Sequence, residues 1–507
     1  MTPLAEAGTL TQLVTRAAQL WPERTAWVFD ETDRRFTFTD VDRISDRFAA
    51  ALAGRGIGPG DRVAVMLRNQ PEFPLLWLAL AKIGAILVPV NTNYREFDGA
   101  HVLRHSGAKL AVAAEEFTDL LGRISLAEVI TPDQLDAAGA PPDFAPVPEL
   151  PVNIQYTSGT TGAPKGCVLP NRYWTTLAVS LATDFPAVGA DDVMLTAQPF
   201  HYIDPQWNVA LGLAAGATLV VLDRFHPSTF WAKVREHDVT WFYCLGLMPT
   251  LLLRQEPADA DRDHRVRAIC ASAIPHELHA ELEARWGVPW YEAFGMTETG
   301  GDIRMTAADH DETVGTGCIG RPSRDREAMI AGEDGKPVPR GETGELLIRG
   351  IGLMHGYHDD PEATAKAFRD GWFHTGDLAR MDDAGRVYYI GRTKDMIRRS
   401  GENVSADEVE RALSLHPAVR LAAVVAVPDE LRGEEIKAYV VCDGVRPDPG
   451  ELVAFCAEKL AYFKVPRFWA FAAELPMTPS ERVAKGELRK VADPRAGSWD
   501  AKAEAWL

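Results

Sequence analysis

The run Tyr156-Thr157-Ser158-Gly159-Thr160-Thr161-Gly162-Ala163-Pro164-Lys165-Gly166 is the most informative stretch of this chain. It places glycines, hydroxyl groups and one lysine in a single loop. Backbone N–H groups, hydroxyls and an ammonium group all suit a bound polyphosphate. The Gly-Lys-Ser/Thr ending of a Walker A loop is absent. The stretch therefore predicts a phosphate-binding loop of a different kind.

The totals point to a multidomain enzyme of the cell interior. A chain of 507 residues is too long for one hydrophobic core. Its formal net charge of −19 argues against nucleic-acid binding and against docking on anionic membranes. The six cysteines include no C-x-x-C pair, which is typical of a reducing compartment. With no signal peptide apparent, we expect a cytoplasmic protein with no nucleic-acid or membrane partner.

Alternating strand and helix patterns follow the first half of the chain. Arg62–Leu67 and Ile86–Val90 have the composition of buried strands, and residues 72–83 between them that of a helix, which makes a β-α-β unit. Further on, Glu345–Arg349 and Arg386–Ile390 look like antiparallel strands joined by a turn at 383–385. An α/β architecture with mostly parallel sheets is expected, followed by a compact α+β segment.

A second motif is Tyr291-Glu292-Ala293-Phe294-Gly295-Met296-Thr297-Glu298-Thr299, where Trp290-Tyr291 has the pattern of a strand end. Active sites of open α/β sheets lie at the carboxyl ends of strands. Phe294 is suited to stack on an adenine, and the Thr297 hydroxyl to a phosphate. Glu298 offers the oxygen ligands that Mg²⁺ prefers.

Two more motifs follow. One is Trp372-Phe373-His374-Thr375-Gly376-Asp377-Leu378, in which Asp377 could equally be a turn former. The other is Gly391-Arg392-Thr393-Lys394-Asp395-Met396-Ile397, with Ser400-Gly401-Glu402-Asn403 shortly after it.

Together these motifs resemble the adenylate-forming superfamily of acyl-CoA synthetases, adenylation domains and luciferases. The resemblance covers essentially the whole chain, and His201-Tyr202-Ile203-Asp204-Pro205-Gln206 is most similar to the carnitine/crotonobetaine-CoA ligase group. It implies a large N-terminal α/β domain with a small β-barrel-like part, residues 1–394. A small mobile α+β domain, residues 395–507, would rotate about a hinge at Lys394 between two half-reactions.

The resemblance also implies roles for individual residues. Lys165 and Thr297 would act on the phosphates, and Glu298 would hold Mg²⁺. Asp377 would bind the ribose hydroxyls and Arg392 the ribose or phosphate. The remaining implied contacts are the ATP-binding residues Thr157, Ser158, Gly159, Thr160, Thr161, Gly162, Glu292, Ala293, Phe294 and Gly295, the acid-binding residues His201, Asp204, Trp207, Gly246, Gly301 and Asp302, and the coenzyme A tunnel residues Gly401, Glu402 and Asn403.

Near the C-terminus the family pattern breaks. Relatives carry a lysine that reaches the carboxylate and the α-phosphate during adenylation, whereas here Arg482 occupies that position. Arginine is a planar fork and lysine a compact point charge. Three interpretations are open: Arg482 serves in adenylation, Lys485 substitutes for it, or the site is impaired.

The implied acid pocket contains carboxylates where fatty-acid ligases have apolar residues. Asp204 and Asp302 favour a substrate bearing an amine or ammonium group, with Trp207 offering a cation–π face. The alternative is that Asp204 pairs with Arg304 or another basic residue and only holds its loop. The size of Trp207 argues against a long, straight tunnel.

The implied reaction is an ATP-dependent ligation of a carboxylic acid to coenzyme A through an acyl-adenylate. We expect no carrier segment after Leu507, which makes free coenzyme A the expected acceptor, and analogy with the fold suggests a homodimer. The alternatives are ligation to an amine, activation of nitrite to diazotise an aryl amine, or a binding homologue that has lost catalysis.

Overall fold

The computed structural model describes residues 7–125, 127–135, 139–157, 164–400, 402–429, 431–478 and 483–507, without the side chain of Asn403. These residues form two compact units. Unit 1 holds the described residues up to 157 together with 164–328 and 348–373. Unit 2 holds 329–347 and the described residues from 374 onward.

The helices of the described chain are mostly one to five turns long. They are α1 Leu10–Leu20, α2 Phe38–Gly54, α3 Glu72–Lys82, α4 Glu96–Ser106, α5 Glu115–Ile124, α6 Asn171–Thr183, α7 Ile203–Ala215, α8 Pro227–Glu236, α9 Met248–Leu253, α10 His276–Trp286, α11 Ala307–Thr313, α12 Pro361–Ala367, α13 Ala406–Ser414, α14 Pro449–Lys459 and α15 Lys485–Arg489.

The strands are two to eleven residues long, and the longest, Trp372–Met381, Val419–Asp429 and Gly433–Cys442, are in unit 2 or reach into it. They are β1 Thr25–Phe29, β2 Arg34–Thr37, β3 Arg62–Met66, β4 Ile86–Pro89, β5 Leu110–Ala113, β6 Glu128–Ile130, β7 Pro151–Thr157, β8 Lys165–Pro170, β9 Val193–Thr196, β10 Thr218–Val221, β11 Trp241–Leu245, β12 Ala268–Ser272, β13 Trp290–Met296, β14 Gly300–Arg304, β15 Cys318–Pro322, β16 Arg326–Ala331, β17 Thr343–Gly350, β18 Phe368–Arg369, β19 Trp372–Met381, β20 Val387–Arg392, β21 Met396–Arg399, β22 Glu402–Ser405, β23 Val419–Asp429, β24 Gly433–Cys442, β25 Phe468–Phe471, β26 Trp499–Asp500 and β27 Ala505–Trp506.

One sheet of unit 1 confirms the predicted β-α-β unit. Its strand order is β6-β5-β3-β4-β7-β8, and β3 pairs with β4 in parallel, with Arg62 opposite Ile86. The connecting helix α3 is apolar on all sides and almost wholly buried, as a crossover helix packed between layers must be. At the far edge β7 and β8 run antiparallel, so the chain reverses between Thr157 and Lys165.

The second sheet of unit 1 places the adenine motif. Strands β9 to β13 are parallel, whereas β14 and β15 continue the sheet antiparallel. Strand β13 does not end near Trp290-Tyr291, as predicted, but continues to Met296. Its later residues pair with β14, and this second partner provides the backbone hydrogen bonds that extend the strand.

In unit 2 the predicted hairpin has a different first strand. The turn at 383–385 joins β19 to β20, and the segment Glu345–Arg349 is not the strand preceding it. Inside and outside positions alternate along the whole of β19, although its Thr-Gly-Asp sequence is typical of a turn. The Glu345 carboxylate accepts the Gly376 N–H at 3.0 Å, which supports the strand where Gly376 takes a φ of 69°.

The rest of unit 2 is a separate α+β body. Its sheet has the order β22-β21-β24-β25-β26-β27, with β23 paired to β24. Helices α13 and α14 cover this sheet around a core that includes Val409, Leu452 and Trp469. The α/β class, with parallel sheets in the larger unit and an α+β C-terminal part, is thus confirmed. None of the described helices combines the length and the apolar character needed to cross a membrane.

Candidate active site

The phosphate loop is held at both ends by a strand pair. Thr157, the last residue of β7, lies opposite Lys165, the first residue of β8. The antiparallel register brings these two predicted residues together at the base of the loop. The other predicted phosphate contacts, Ser158, Gly159, Thr160, Thr161 and Gly162, lie outside the described residues.

Two histidines of α4, which no sequence motif marks, support the flanks of this loop. The His101 imidazole lies 3.1 Å from the carbonyl oxygen of Pro164, and His105 Nδ1 lies 2.7 Å from the Tyr156 hydroxyl. Burial, followed by the nearby His358 and His101, lowers the pKa of His105. A single histidine in a helix pattern carries no signal of such a role, because the contact depends on how α4 packs.

Lys165, Tyr357 and Glu298 form one cluster in unit 1. The Lys165 ammonium lies 4.9 Å from the centre of the Tyr357 ring. The Tyr357 hydroxyl donates a hydrogen bond of 3.0 Å to Glu298 Oε1. Burial, together with the Glu298 charge, raises the pKa of Tyr357, so the phenol stays neutral and donates. The phosphate-loop lysine and the predicted magnesium ligand are therefore linked through a tyrosine that no sequence motif marks.

The turn between β13 and β14 presents Thr297 and Glu298. A Cβ atom at Gly295 would collide with the carbonyl oxygen of Gly300, so the bulge in this hairpin requires glycine. Glu298 is about nine-tenths buried. A carboxylate beside the phosphate-loop lysine fits a hard cation with oxygen ligands such as Mg²⁺, which would offset phosphate charge.

The strand of the adenine motif is held by its neighbours. Glu292 Oε1 accepts the Ile274 N–H at 2.9 Å, and the carbonyl oxygen of Ala293 accepts the Ser272 hydroxyl at 2.6 Å. Both contacts come from β12 and the loop that follows it. They position the backbone on either side of Phe294, whose ring is partly exposed.

The structure gives Asp302 a partner inside the protein. Its side chain is fully buried, its Oδ1 accepts the Arg326 Nε–H at 2.9 Å, and its Oδ2 accepts the Thr299 hydroxyl. Arg326 also donates to the carbonyl oxygens of Thr299 and Ile351. This network argues against a role for Asp302 in binding a cationic substrate, because each carboxylate oxygen already accepts a hydrogen bond within the protein.

The remaining predicted acid-site residues lie around α7 and the strands beside it. Asp204 and Trp207 are on α7, and His201 precedes this helix. Gly246 directly follows β11 with a φ of 58°, and Gly301 is on β14. Trp207 is buried, with its ring 5.2 Å from Tyr243 and 6.1 Å from Trp241 in edge-to-face contacts. Arg304 forms no ion pair among the described residues, which argues against its pairing with Asp204; pairing of Asp204 with another basic residue stays a prediction.

His201 is buried with no hydrogen-bond partner for either ring nitrogen among the described residues. Burial lowers the pKa of His201 to about 3. An unfolded histidine binds a proton below about pH 6.5. The unfolded state therefore binds more protons between the two pKa values, and stability falls as the pH decreases through this window.

We expect replacement of His201 by phenylalanine to remove this acid sensitivity. The free energy of unfolding of His201→Phe minus that of the wild type should be about 2 kcal/mol greater at pH 5.0 than at pH 7.5. Urea unfolding of both proteins at both pH values measures the difference. His226→Phe, at an exposed histidine, is the control. The prediction would be contradicted if the free energies of unfolding of His201→Phe and the wild type differed by the same amount at both pH values.

In unit 2 the two predicted ribose-site residues lie opposite each other. Asp377 on β19 pairs in register with Arg392 on β20, and Arg392 Nε lies 2.7 Å from Asp377 Oδ1. Asp377 is fully buried; its backbone N–H donates to Thr375 Oγ1 at 3.0 Å, and its Oδ1 accepts the Tyr389 hydroxyl at 3.4 Å. The strand pair thus holds a carboxylate and a guanidinium together, a combination suited to ribose hydroxyls and a phosphate.

The predicted hinge residue Lys394 lies between β20 and β21. Burial lowers the pKa of Lys394, and this effect outweighs that of the nearby Asp395 carboxylate, which raises it. Glu402 begins β22 and is exposed. Gly401 and the side chain of Asn403 are outside the described residues, so the predicted tunnel loop stays a prediction.

Lys485 is held by carboxylates of unit 2. Its ammonium lies 2.8 Å from Glu410 and 3.1 Å from Asp407, and it is largely buried. The carboxylates raise the pKa of Lys485 against the lowering effect of burial. These ion pairs argue against Lys485 as a substitute for the missing catalytic lysine. Arg482 itself is outside the described residues.

Comparison with known proteins identifies the family. The AMP-binding enzyme family matches residues 14–358, and the AMP-binding enzyme C-terminal domain matches residues 408–482. The crotonobetaine/carnitine–CoA ligase of Salmonella typhimurium is 33% identical over 513 residues, 95% of this chain and 98% of that protein. The sulfoacetate–CoA ligase of Cupriavidus necator is 34% identical over 504 residues, 95% of this chain and 97% of that protein.

Solved structures agree with the sequence relatives. The o-succinylbenzoate CoA synthetase of Bacillus subtilis, in complex with its acyl-adenylate intermediate, superposes with a TM-score of 0.87 at 28% identity. The match covers 95% of this chain and 98% of that one. The same enzyme has been solved with ATP and a magnesium ion. The chain belongs to the AMP-binding enzyme family and is an ATP-dependent, AMP-forming ligase that joins a carboxylic acid to coenzyme A through an acyl-adenylate.

Proposed function

We propose that the acid substrate of this ligase is short, and that Trp207 limits its length. Among the residues implied for the acid pocket, Trp207 has the largest side chain, and its contacts with Tyr243 and Trp241 hold it in place. Buried aromatic rings packed edge to face have little freedom to move aside. The named acids of the relatives, carnitine, crotonobetaine and sulfoacetate, are also short.

The first half-reaction needs positioning and charge stabilisation more than an enzyme nucleophile. The substrate carboxylate attacks the α-phosphorus of ATP, pyrophosphate leaves, and the acyl-adenylate forms. Lys165 and Thr157 would hold the β- and γ-phosphates, which leave as pyrophosphate, and Glu298 would hold Mg²⁺ with Tyr357 orienting its carboxylate. When bound, the Mg²⁺ would offset the negative charge of the phosphates. Asp377 and Arg392 would bind the ribose, and Arg482 would stabilise the α-phosphate.

The second half-reaction uses coenzyme A. Its thiol sulfur attacks the acyl carbon, the bond to the phosphate oxygen breaks, and AMP leaves. We propose that residues 395–507 rotate about Lys394 between the half-reactions, so that Gly401, Glu402 and Asn403 reach the pantetheine arm in the second pose. The partly buried hinge lysine and the separate core of the C-terminal body support a rigid-body motion of this kind.

A chain-length series tests the role of Trp207. In ATP–pyrophosphate exchange, the wild type should use acids of up to about six carbons and lose at least about tenfold in kcat/KM for each longer pair of carbons. Trp207→Ala should shift this limit to longer acids, because it removes the buried ring. The matched control is Trp231→Ala, because Trp231 is a buried tryptophan on α8 and belongs to a different apolar cluster from Trp207. An unchanged length profile in Trp207→Ala would contradict the proposal.

We further propose a cytoplasmic location and a homodimer. All six cysteines are free and five of them are buried, a pattern that suits a reducing compartment. The homodimer rests on analogy with the fold alone. Sedimentation of the purified protein tests it directly.

A further inference from the structure

A buried arginine of unit 1 has no counter-charge bound to it. Arg304 ends β14, and within the described residues its guanidinium makes no hydrogen bond or ion pair; its Nη1 atom is buried without a partner. The rest of the side chain keeps some accessible surface. Burial lowers the pKa of Arg304. An unpaired buried charge is costly and is normally matched by an opposite one.

The nearest carboxylates are already engaged. Asp302 is bound by Arg326 and Thr299, and Asp184 lies 3.3 Å from Arg324. Arg326 itself adds positive charge near Arg304. Asp184, the largest charge effect on Arg304, and Asp302 oppose this positive charge, but neither carboxylate forms an ion pair with Arg304, so its N–H groups can still bind an anion.

Arg304 also lies beside the proposed acid pocket. A Cβ atom at Gly301, one of the implied acid-site residues, would be 3.5 Å from Arg304 Nη2. Cys270 is an electrostatic neighbour of Arg304, and it shares one apolar cluster with Trp207 and Trp241. Arg304 thus lies beside one implied acid-site residue, Gly301, and near a member of the apolar cluster that contains Trp207.

We propose that Arg304 is a specificity-determining residue that binds a second anionic group, a carboxylate or a sulfonate, at the far end of the acid substrate. This inference rests on the proposed function, because the first carboxylate is the one that is adenylated. Arginine presents paired N–H donors that match either anion. The assignment reverses the charge expected from Asp204 and Asp302 alone.

The first test is ATP–pyrophosphate exchange with sets of acids matched in length. Each set contains a dicarboxylate, its monocarboxylate and the corresponding ω-amino acid, such as succinate, butyrate and 4-aminobutyrate, with sulfoacetate and 3-sulfopropionate as sulfonate probes. At the best length, the doubly anionic acid should exceed the monocarboxylate at least about 100-fold in kcat/KM. Arg304→Met should bring this ratio to about one while the KM for ATP stays within about twofold of the wild-type value.

Some outcomes would overturn the inference while leaving the ligase function intact. One is that monocarboxylates or ω-amino acids give the fastest exchange at every length. The other is that Arg304→Met leaves unchanged the ratio of kcat/KM for the doubly anionic acid to kcat/KM for the monocarboxylate. Absence of exchange with every acid, when ATP binding is demonstrable, would count against the proposed short-acid function instead. In that event thermal unfolding decides the inference by itself.

The second test compares two buried arginines without any substrate. Arg304→Met removes an unpaired charge and should raise the Tm by about 1–3 °C, whereas Arg326→Met leaves Asp302 unpaired and should lower it. Succinate or sulfoacetate at millimolar concentration should raise the Tm of the wild type and not that of Arg304→Met. A fall in Tm for Arg304→Met like that of Arg326→Met would show a structural role and overturn the inference.

Discussion

Replacing Arg482 by alanine is expected to slow adenylation about 100- to 1,000-fold, as does the loss of one preorganised donor to a developing charge. Arg482 occupies the position of the family lysine. Lys485, the lysine nearest to it in the sequence, already forms ion pairs with Glu410 and Asp407. Thioester formation from a preformed acyl-adenylate should change less than about threefold, because the domain rotation would remove this residue from the second reaction.

Two separate assays measure these effects. ATP–pyrophosphate exchange reports adenylation, and thioester formation from synthetic acyl-adenylate and coenzyme A reports the second step. Arg482→Lys restores the residue type of the relatives and serves as the conservative control, with most of the activity retained. Equal losses in both half-reactions of Arg482→Ala would indicate a structural role. Adenylation that persists in Arg482→Ala and is lost only when Lys485 is also replaced would point to Lys485.

Replacing Asp377 by alanine is expected to weaken ATP binding about 100-fold. Two hydrogen bonds from ribose hydroxyls to a carboxylate are together worth about 3 kcal/mol. Asp377 is fully buried beside Arg392, so its carboxylate is held in one orientation before ATP arrives. Calorimetric titration with ATP measures the change in Kd.

Two variants separate binding from folding in this experiment. Asp377→Asn keeps the shape of the side chain and should lose less affinity than Asp377→Ala. Asp382→Ala removes a carboxylate near the turn of the same hairpin, where it accepts hydrogen bonds from Arg386 and Tyr388, and should leave ATP affinity unchanged. Unchanged affinity in a folded Asp377→Ala protein would contradict the assignment of the ribose site.

Contiguous motifs carried the predictions made for the site. Thr157 with Lys165, Thr297 with Glu298, and Asp377 each stand in a short run whose order carries the chemistry. Supporting residues could not be predicted in this way. Tyr357 is 59 positions from Glu298 along the chain, and Arg326 is 24 positions from Asp302. No local pattern connects residues so far apart, because the packing of the strands alone brings them together.

Predictions from local composition were also wrong for two elements. Thr-Gly-Asp at 375–377 resembles a turn, yet it lies inside β19, where pairing with β20 outweighs the turn preference of these residues. Strand β13 extends beyond its predicted end because β14 folds back against it. In both cases backbone hydrogen bonds from a neighbouring strand determine the structure.

The amino-acid sequence by itself determined the α/β class, the family and the ligase chemistry, because each depends on patterns of residues that are close together along the chain. Only the tertiary structure decided which charges are already paired. It showed that Asp302 forms an ion pair with Arg326, and that Lys485 forms ion pairs with Glu410 and Asp407. Among the described residues, Arg304 forms no ion pair. The charge available to a substrate depends on those pairings, since the free energy of a buried ion is set by its neighbours in space.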